Sequence, residues 1–110
     1  MRAGELKHRL TLQAPVETRS ANGDFVPSWQ TVATVWAGIK SIRGQEFWAG
    51  SQTFAEASHE IRLRYRTDVR PHWRLAWDER TGTRYLDILG VIDPDGKRSD
   101  LVLPCREVVA

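Results

Sequence analysis

At 110 residues the chain is the size of a single domain, 1–110, and can bury about two-thirds of its unfolded surface around one core. Hydrophobic residues at 41% and charged residues at 27% exclude disordered and fibrous classes, and no apolar run approaches the ~20 residues of a membrane helix. A net charge of +2 is too mild to argue for nucleic-acid binding by itself.

The opening MRAGELKHRL lacks the apolar centre of a signal peptide, so the chain is expected to stay where it is made. ELKHRLTLQAPV alternates, with Leu6, His8, Leu10 and Leu12 on one side, and predicts a half-buried strand. Asn22-Gly23 suits a tight turn because both residues tolerate positive φ. The returning strand VPSWQTVATVWAGIKSI carries Pro27, expected at its irregular start. RGQEFWAGSQTFAEAS departs from strand pattern: Gln45, Glu46, Ala49, Ala55, Glu56 and Ala57 favour helix while Gly50 and Ser51 interrupt it, predicting a short helix and then a loop.

SHEIRLRYRTDV returns to strand, and RPHWRLAWDE adds another with Trp73, Leu75 and Trp77 on one face. After the turn ERTGTR, YLDILGVID is apolar enough to be buried on both faces. DPDGKR has turn chemistry, and SDLVLPCREVV is a last strand that Pro104 marks as an edge. About six antiparallel strands with one short helix and a long loop predict a mainly β fold, a small β-barrel or sandwich.

The alternation in EIRLRYRT places Ile61, Leu63 and Tyr65 on one face and Arg62, Arg64 and Arg66 on the other. Basicity is concentrated here: residues 60–84 hold seven arginines against four acids, a net of +3, while the remainder sums to −1. Like charges in a row repel unless compensated. Acids on the next strand, a neighbouring subunit's carboxylates or phosphates would each suffice. Trp73 and Trp77 near this row fit a base-stacking platform, but Tyr65 points away from the arginines, which argues against one.

His8, His59 and His72 are scattered without zinc-ligand spacing, and Cys105, the single cysteine, reads as a buried apolar thiol. No nucleophile elbow, phosphate-binding loop or paired-cysteine motif occurs, so no catalytic residue, cofactor or metal is expected and the chain is not read as an enzyme.

In order, AGELKHRLTLQAP, NGDFVPSW, VATVWAGIKSIRGQE, HEIRLRYR, RYLDILGVIDPDGKR and LPCRE resemble the head-tail joining proteins of tailed bacteriophages, also called stoppers or head-completion proteins, with relatives in prophages and gene transfer agents. The resemblance covers nearly the whole chain. It implies a small β-barrel with one short helix and a long loop, assembled as a homo-oligomeric ring in the virion neck after a phase in the host cytoplasm. Portal or adaptor protein would lie on the head side, a tail terminator or tail completion protein on the tail side, and packaged double-stranded DNA in the channel, with no membrane involved.

The ring would close the DNA exit channel after packaging and offer a docking surface to the tail. By the same resemblance the gating loop falls within Gly44 to Ala57, with Gly44, Gln45, Glu46, Phe47, Trp48, Gly50 and Ser51 as its candidate residues, mobile in the free subunit and ordered in the ring. Arg62, Arg64 and Arg66 are candidates for contact with a neighbour's acids such as Asp93, Asp95 or Asp100, and secondarily with DNA. A small nucleic-acid-binding barrel is the alternative.

Overall fold

The computed structural model describes residues 6–19, 21–23, 25–42, 47–49, 52–54, 56–94 and 96–108, with the backbone alone for 18–19, 25–27, 47–49 and 52–53. Among these residues eight strands follow in chain order: β1 (His8–Arg19), β2 (Phe25–Ser41), β3 (Phe47–Ala49), β4 (Gln52–Phe54), β5 (His59–Arg64), β6 (Arg74–Glu79), β7 (Gly82–Ile88) and β8 (Asp100–Val108). Six of them close an antiparallel barrel in the order β1-β2-β5-β8-β7-β6.

Alternation decides which side chains fill it. Leu10 and Leu12 of β1, Ala37 of β2, Ile61 and Leu63 of β5, Leu75 of β6, Leu86 and Ile88 of β7, and Leu101, Leu103 and Cys105 of β8 all point inward and are buried. A barrel of about eight strands is just wide enough inside for side chains to fill, so this narrower six-stranded one is closed by these residues. Each buried Leu or Ile stabilises the fold by about 1.5–3 kcal/mol relative to exposure. Trp73, Trp77 and Tyr65 pack against this cluster from its rim.

β1 and β2 outrun the barrel. β1 meets β6 only at Thr11 to Gln13, and β2 meets β5 only from Ala37 to Ser41. The remainder, Ala14–Arg19 against Phe25–Gln30, is a two-stranded arm. A bulge marks where the arm departs: Leu12 pairs with Ala33 but Gln13 with Thr31, leaving Val32 as the extra residue. Pro27 lies in the arm opposite Glu17, where it interrupts no barrel pairing.

Three expectations are corrected. Among the described residues there is no helix; Phe47–Ala49 and Gln52–Phe54 form an antiparallel ribbon inside the connection between β2 and β5. Phe47, Trp48, Thr53 and Phe54 are β-formers around a Gly-Ser pair, a two-residue hairpin signal that outweighs the helix preference of the flanking alanines and glutamates. Pro104 is not on an edge: β8 pairs with β5 on one side and β7 on the other, and Pro104 is fully buried. Its carbonyl accepts from Leu89 N, so its missing donor faces the point where β7 has just ended at Ile88. The stretch after Ile88 is not a doubly buried strand either; it leaves the ladder and rejoins β8 by one bridge, Ile92 to Val102.

Candidate interaction surfaces

The arginine row is real but shorter than its alternation suggests. Arg62 and Arg64 project outward from β5 and are exposed, while Arg66 lies past the end of the strand. Arg62 binds the buried Glu60 two residues away at 3.0 Å. Arg66 grips Asp68 with two hydrogen bonds of 3.0 and 2.8 Å, which lower the Asp68 pKa below the usual carboxylate range and raise that of Arg66. Arg62 and Arg66 are therefore compensated by Glu60 and Asp68 of the same segment. Arg64 faces Asp100 across the β5–β8 register.

Of the acids expected to meet these arginines across subunits, Asp93 is engaged in its own turn, accepting from Arg98 N at 3.0 Å. Asp95 lies outside the described residues.

The predicted gating loop coincides with the β3–β4 ribbon. Phe47 and Trp48 start β3, whereas Gly44, Gln45, Glu46, Gly50 and Ser51 lie outside the described residues. What the structure adds is how the ribbon is moored. The Phe54 ring lies against Gly90, where an added Cβ would stand 2.8 and 2.9 Å from two ring carbons and 3.5 Å from Pro104. Backbone bonds continue the mooring: Ala57 N to Phe54 O, Ser58 N to Cys105 O, and Ile42 N to Ser58 O. The ribbon thus hangs from two adjacent barrel strands and rests on the outside of the β7–β8 wall.

A polar cluster that sequence reasoning missed fills the barrel mouth beside this mooring. His8, His59, Trp77, Arg84 and Glu107 each stand two positions from a core residue on their own strands, so alternation directs all five inward. Arg84 lies over the Trp77 ring at 4.4 Å and binds both Glu107 and Glu79. His59 packs edge-on to Trp77, stands 3.9 Å from Glu107 and shares a 2.9 Å hydrogen bond between Nδ1 and Ser58 Oγ. Ser58 Oγ also accepts from Glu107 N. Burial pushes the His59 pKa down, Glu107 opposes the shift and Arg84 reinforces it; the Arg84 guanidinium holds Glu107 below the usual carboxylate range. Five strands contribute, so only the alternation of each, and not their convergence, is legible in the sequence.

Cys105 is fully buried and its pKa is raised, chiefly by desolvation. No group of three or more His, Cys, Asp or Glu able to hold a metal occurs among the described residues.

Residues 1–108 match the family model for the phage head completion protein. The chain belongs to that family. Head completion proteins are structural phage proteins, which agrees with a molecule whose polar clusters tie strands together. No curated protein matches the chain. Among solved structures it is similar to protein SF1141 from Shigella flexneri 2a, at 27% identity and a TM-score of 0.70, covering 97% of this chain and 96% of that one. It is also similar to a chain in the virion of a native gene transfer agent particle, at 26% identity and a TM-score of 0.59, covering 96% of this chain and 97% of that one. The expected family and mainly β fold are both borne out.

Proposed function

We propose that this head completion protein is a stopper: a non-enzymatic ring in the virion neck, between the portal or adaptor connector and the tail, that closes the DNA exit channel and receives the tail. The gene transfer agent relative, a virion component of matching fold, supports placement in a particle. The observation that carries the gating role is the β3–β4 ribbon, inserted between two neighbouring strands at one barrel mouth and moored at its base through Phe54, Ala57 and Ser58. A closed barrel has no free edge in its wall, so the body stays rigid while an insertion at the mouth moves.

Gly44, Gln45, Glu46, Phe47, Trp48, Gly50 and Ser51 are proposed as the gate, and Arg62, Arg64 and Arg66 as subunit contacts. Arg66, already held twice by Asp68, is the least available of the three. The deciding experiment removes the chain and images the particles. Tailless heads that have leaked their DNA are expected; tailed, DNA-filled particles would reject the reading. A virion reconstruction then locates the ring and the gate.

Contact with DNA is a second reading, favoured by the exposed cations Arg9, Arg62 and Arg64 on one outer wall. A steep fall of duplex affinity with salt in the free subunit would support it.

A further inference from the structure

Topology gathers more cations around the arginine row than the sequence shows. β1, β2 and β5 are adjacent in the barrel, and their outward positions lie on one wall. Arg9 pairs with Trp36, Gly38 with Arg62, and Lys40 with Glu60. Arg64 continues the row on β5, and Lys7 precedes β1 by one residue. Lys7, Arg9, Lys40, Arg62 and Arg64 are all exposed. Against them the described residues in the barrel part of these three strands include one acid, Glu60, which is buried and bound to Arg62, while Asp100 of β8 stands opposite Arg64 at the wall's edge. The wall is therefore +4 on a chain of +2, and everything else sums to −2. At its centre stands Trp36, 53% exposed, beside a groove floored by Gly38.

The strand order places β7 diametrically opposite β2. That far wall presents Asp78 and Asp87, with Glu56 leaning onto it through Arg106. Its own cations are committed: Arg74 lies between the Trp29 and Tyr85 rings at 4.3 and 4.1 Å, and Arg106 is shared by Glu56 and Asp87.

We infer that the β1–β2–β5 wall is one half of a head-to-tail interface whose other half is the β6–β7–β8 wall of a second copy of this chain. The inference rests on the ring proposed above. A cyclic assembly needs two different complementary patches on each protomer, and these two walls, on different sides of the barrel and of opposite charge, supply them. An exposed tryptophan flanked by arginines has the make-up of a protein hot spot; duplex phosphates would need the cations alone. The order of burial follows: Trp36 enters the contact, and Arg9, stacked 5.3 Å over the Trp36 ring, presents its free N–H edge to a carboxylate of the neighbour.

Particles made in cells lacking the chain and complemented in trans provide the test. Arg62→Glu with Arg64→Glu, and separately Asp78→Arg with Asp87→Arg, should each lower the yield of tailed particles about 100-fold, since like-charge juxtaposition costs several kcal/mol. Combining all four substitutions in one chain restores the complementarity with reversed sign and should recover most of the yield. That recovery separates a lost contact from a lost fold.

In purified particles, Trp36→Cys together with Thr83→Cys should give a ladder of multimers with a short bis-maleimide, and neither single variant should. Wild-type yield from each reversal pair on its own, no recovery when all four substitutions are combined, or dimers from Trp36→Cys alone would overturn the inference, while tailless uncomplemented particles leave the stopper reading standing. Loss of DNA retention in Arg62→Glu/Arg64→Glu particles that still cross-link and tail normally would reassign the wall to DNA.

Discussion

Two parts of the molecule leave the barrel, and they are held in different ways. The β1–β2 arm is a continuation of barrel strands beyond a bulge, and one side chain fastens its root: Arg74, between Trp29 and Tyr85 and bonded to Gln13 at 2.6 Å. The β3–β4 ribbon is an insertion, and it is fastened by close packing of Phe54 on Gly90 together with backbone bonds around Ser58. The arm depends on a polar stack at the surface, the ribbon on the absence of one methyl group. Substitutions at the two roots should therefore differ in size and in what restores them.

The largest effect is expected at Gly90. Alanine there must displace the Phe54 ring, and overpacking of this kind costs about 1–3 kcal/mol, seen as a lower midpoint in urea. Phe54→Leu in the same chain should recover part of that loss, and no recovery would mean that the notch is not what holds the ribbon. Arg74→Ala comes next, at about 2 kcal/mol for two cation–π contacts and a hydrogen bond, with faster amide exchange confined to the arm. Exchange rising equally in the ribbon would erase the distinction between the two roots.

Acid should loosen the ribbon's root before the arm's. Burial holds the folded His59 pKa below the ordinary histidine value of 6.5, so the unfolded chain binds the proton more tightly and stability falls as pH drops below about 6.5. Glu107 and Asp68, also lowered, add their loss below the ordinary carboxylate values of 4.5 and 3.8. Thermal midpoints measured across pH 4.5 to 7.5 should slope in the native chain and flatten in His59→Gln; identical slopes would remove His59 from the cause. The smallest effect belongs to Arg66→Gln. Its ion pair with Asp68 is exposed and should be worth about 0–1 kcal/mol, leaving both excursions as they were.

What the sequence reveals depends on whether information is carried along one strand or between several. Period-two alternation marks β1, β5 and β6 and their inward leucines, because burial on one face is written locally, while β-branched content, an apolar run and the flanking turns mark β2, β7 and β8. The helix expectation between Arg43 and Ser58 failed where local propensity was mixed, and Gly50-Ser51 between aromatic and β-branched residues was the overlooked signal. Pro104 misled for a different reason: its lost donor is harmless only because β7 ends beside it, which no residue near Pro104 discloses. The arginines were visible as a row. Lys7, Arg9, Trp36 and Lys40 join them through strand pairing, and the cluster of His8, His59, Arg84 and Glu107 assembles from separate strands in the same way.

The thiol of Cys105 is sealed among leucines and held in its protonated form. Alkylating reagents attack thiolates that they can reach, so the native barrel should be inert to them until it opens as a whole. The molecule thus carries its own unfolding clock: the rate at which this one sulfur is modified reports how often the wall comes apart, in free subunits and in finished particles alike.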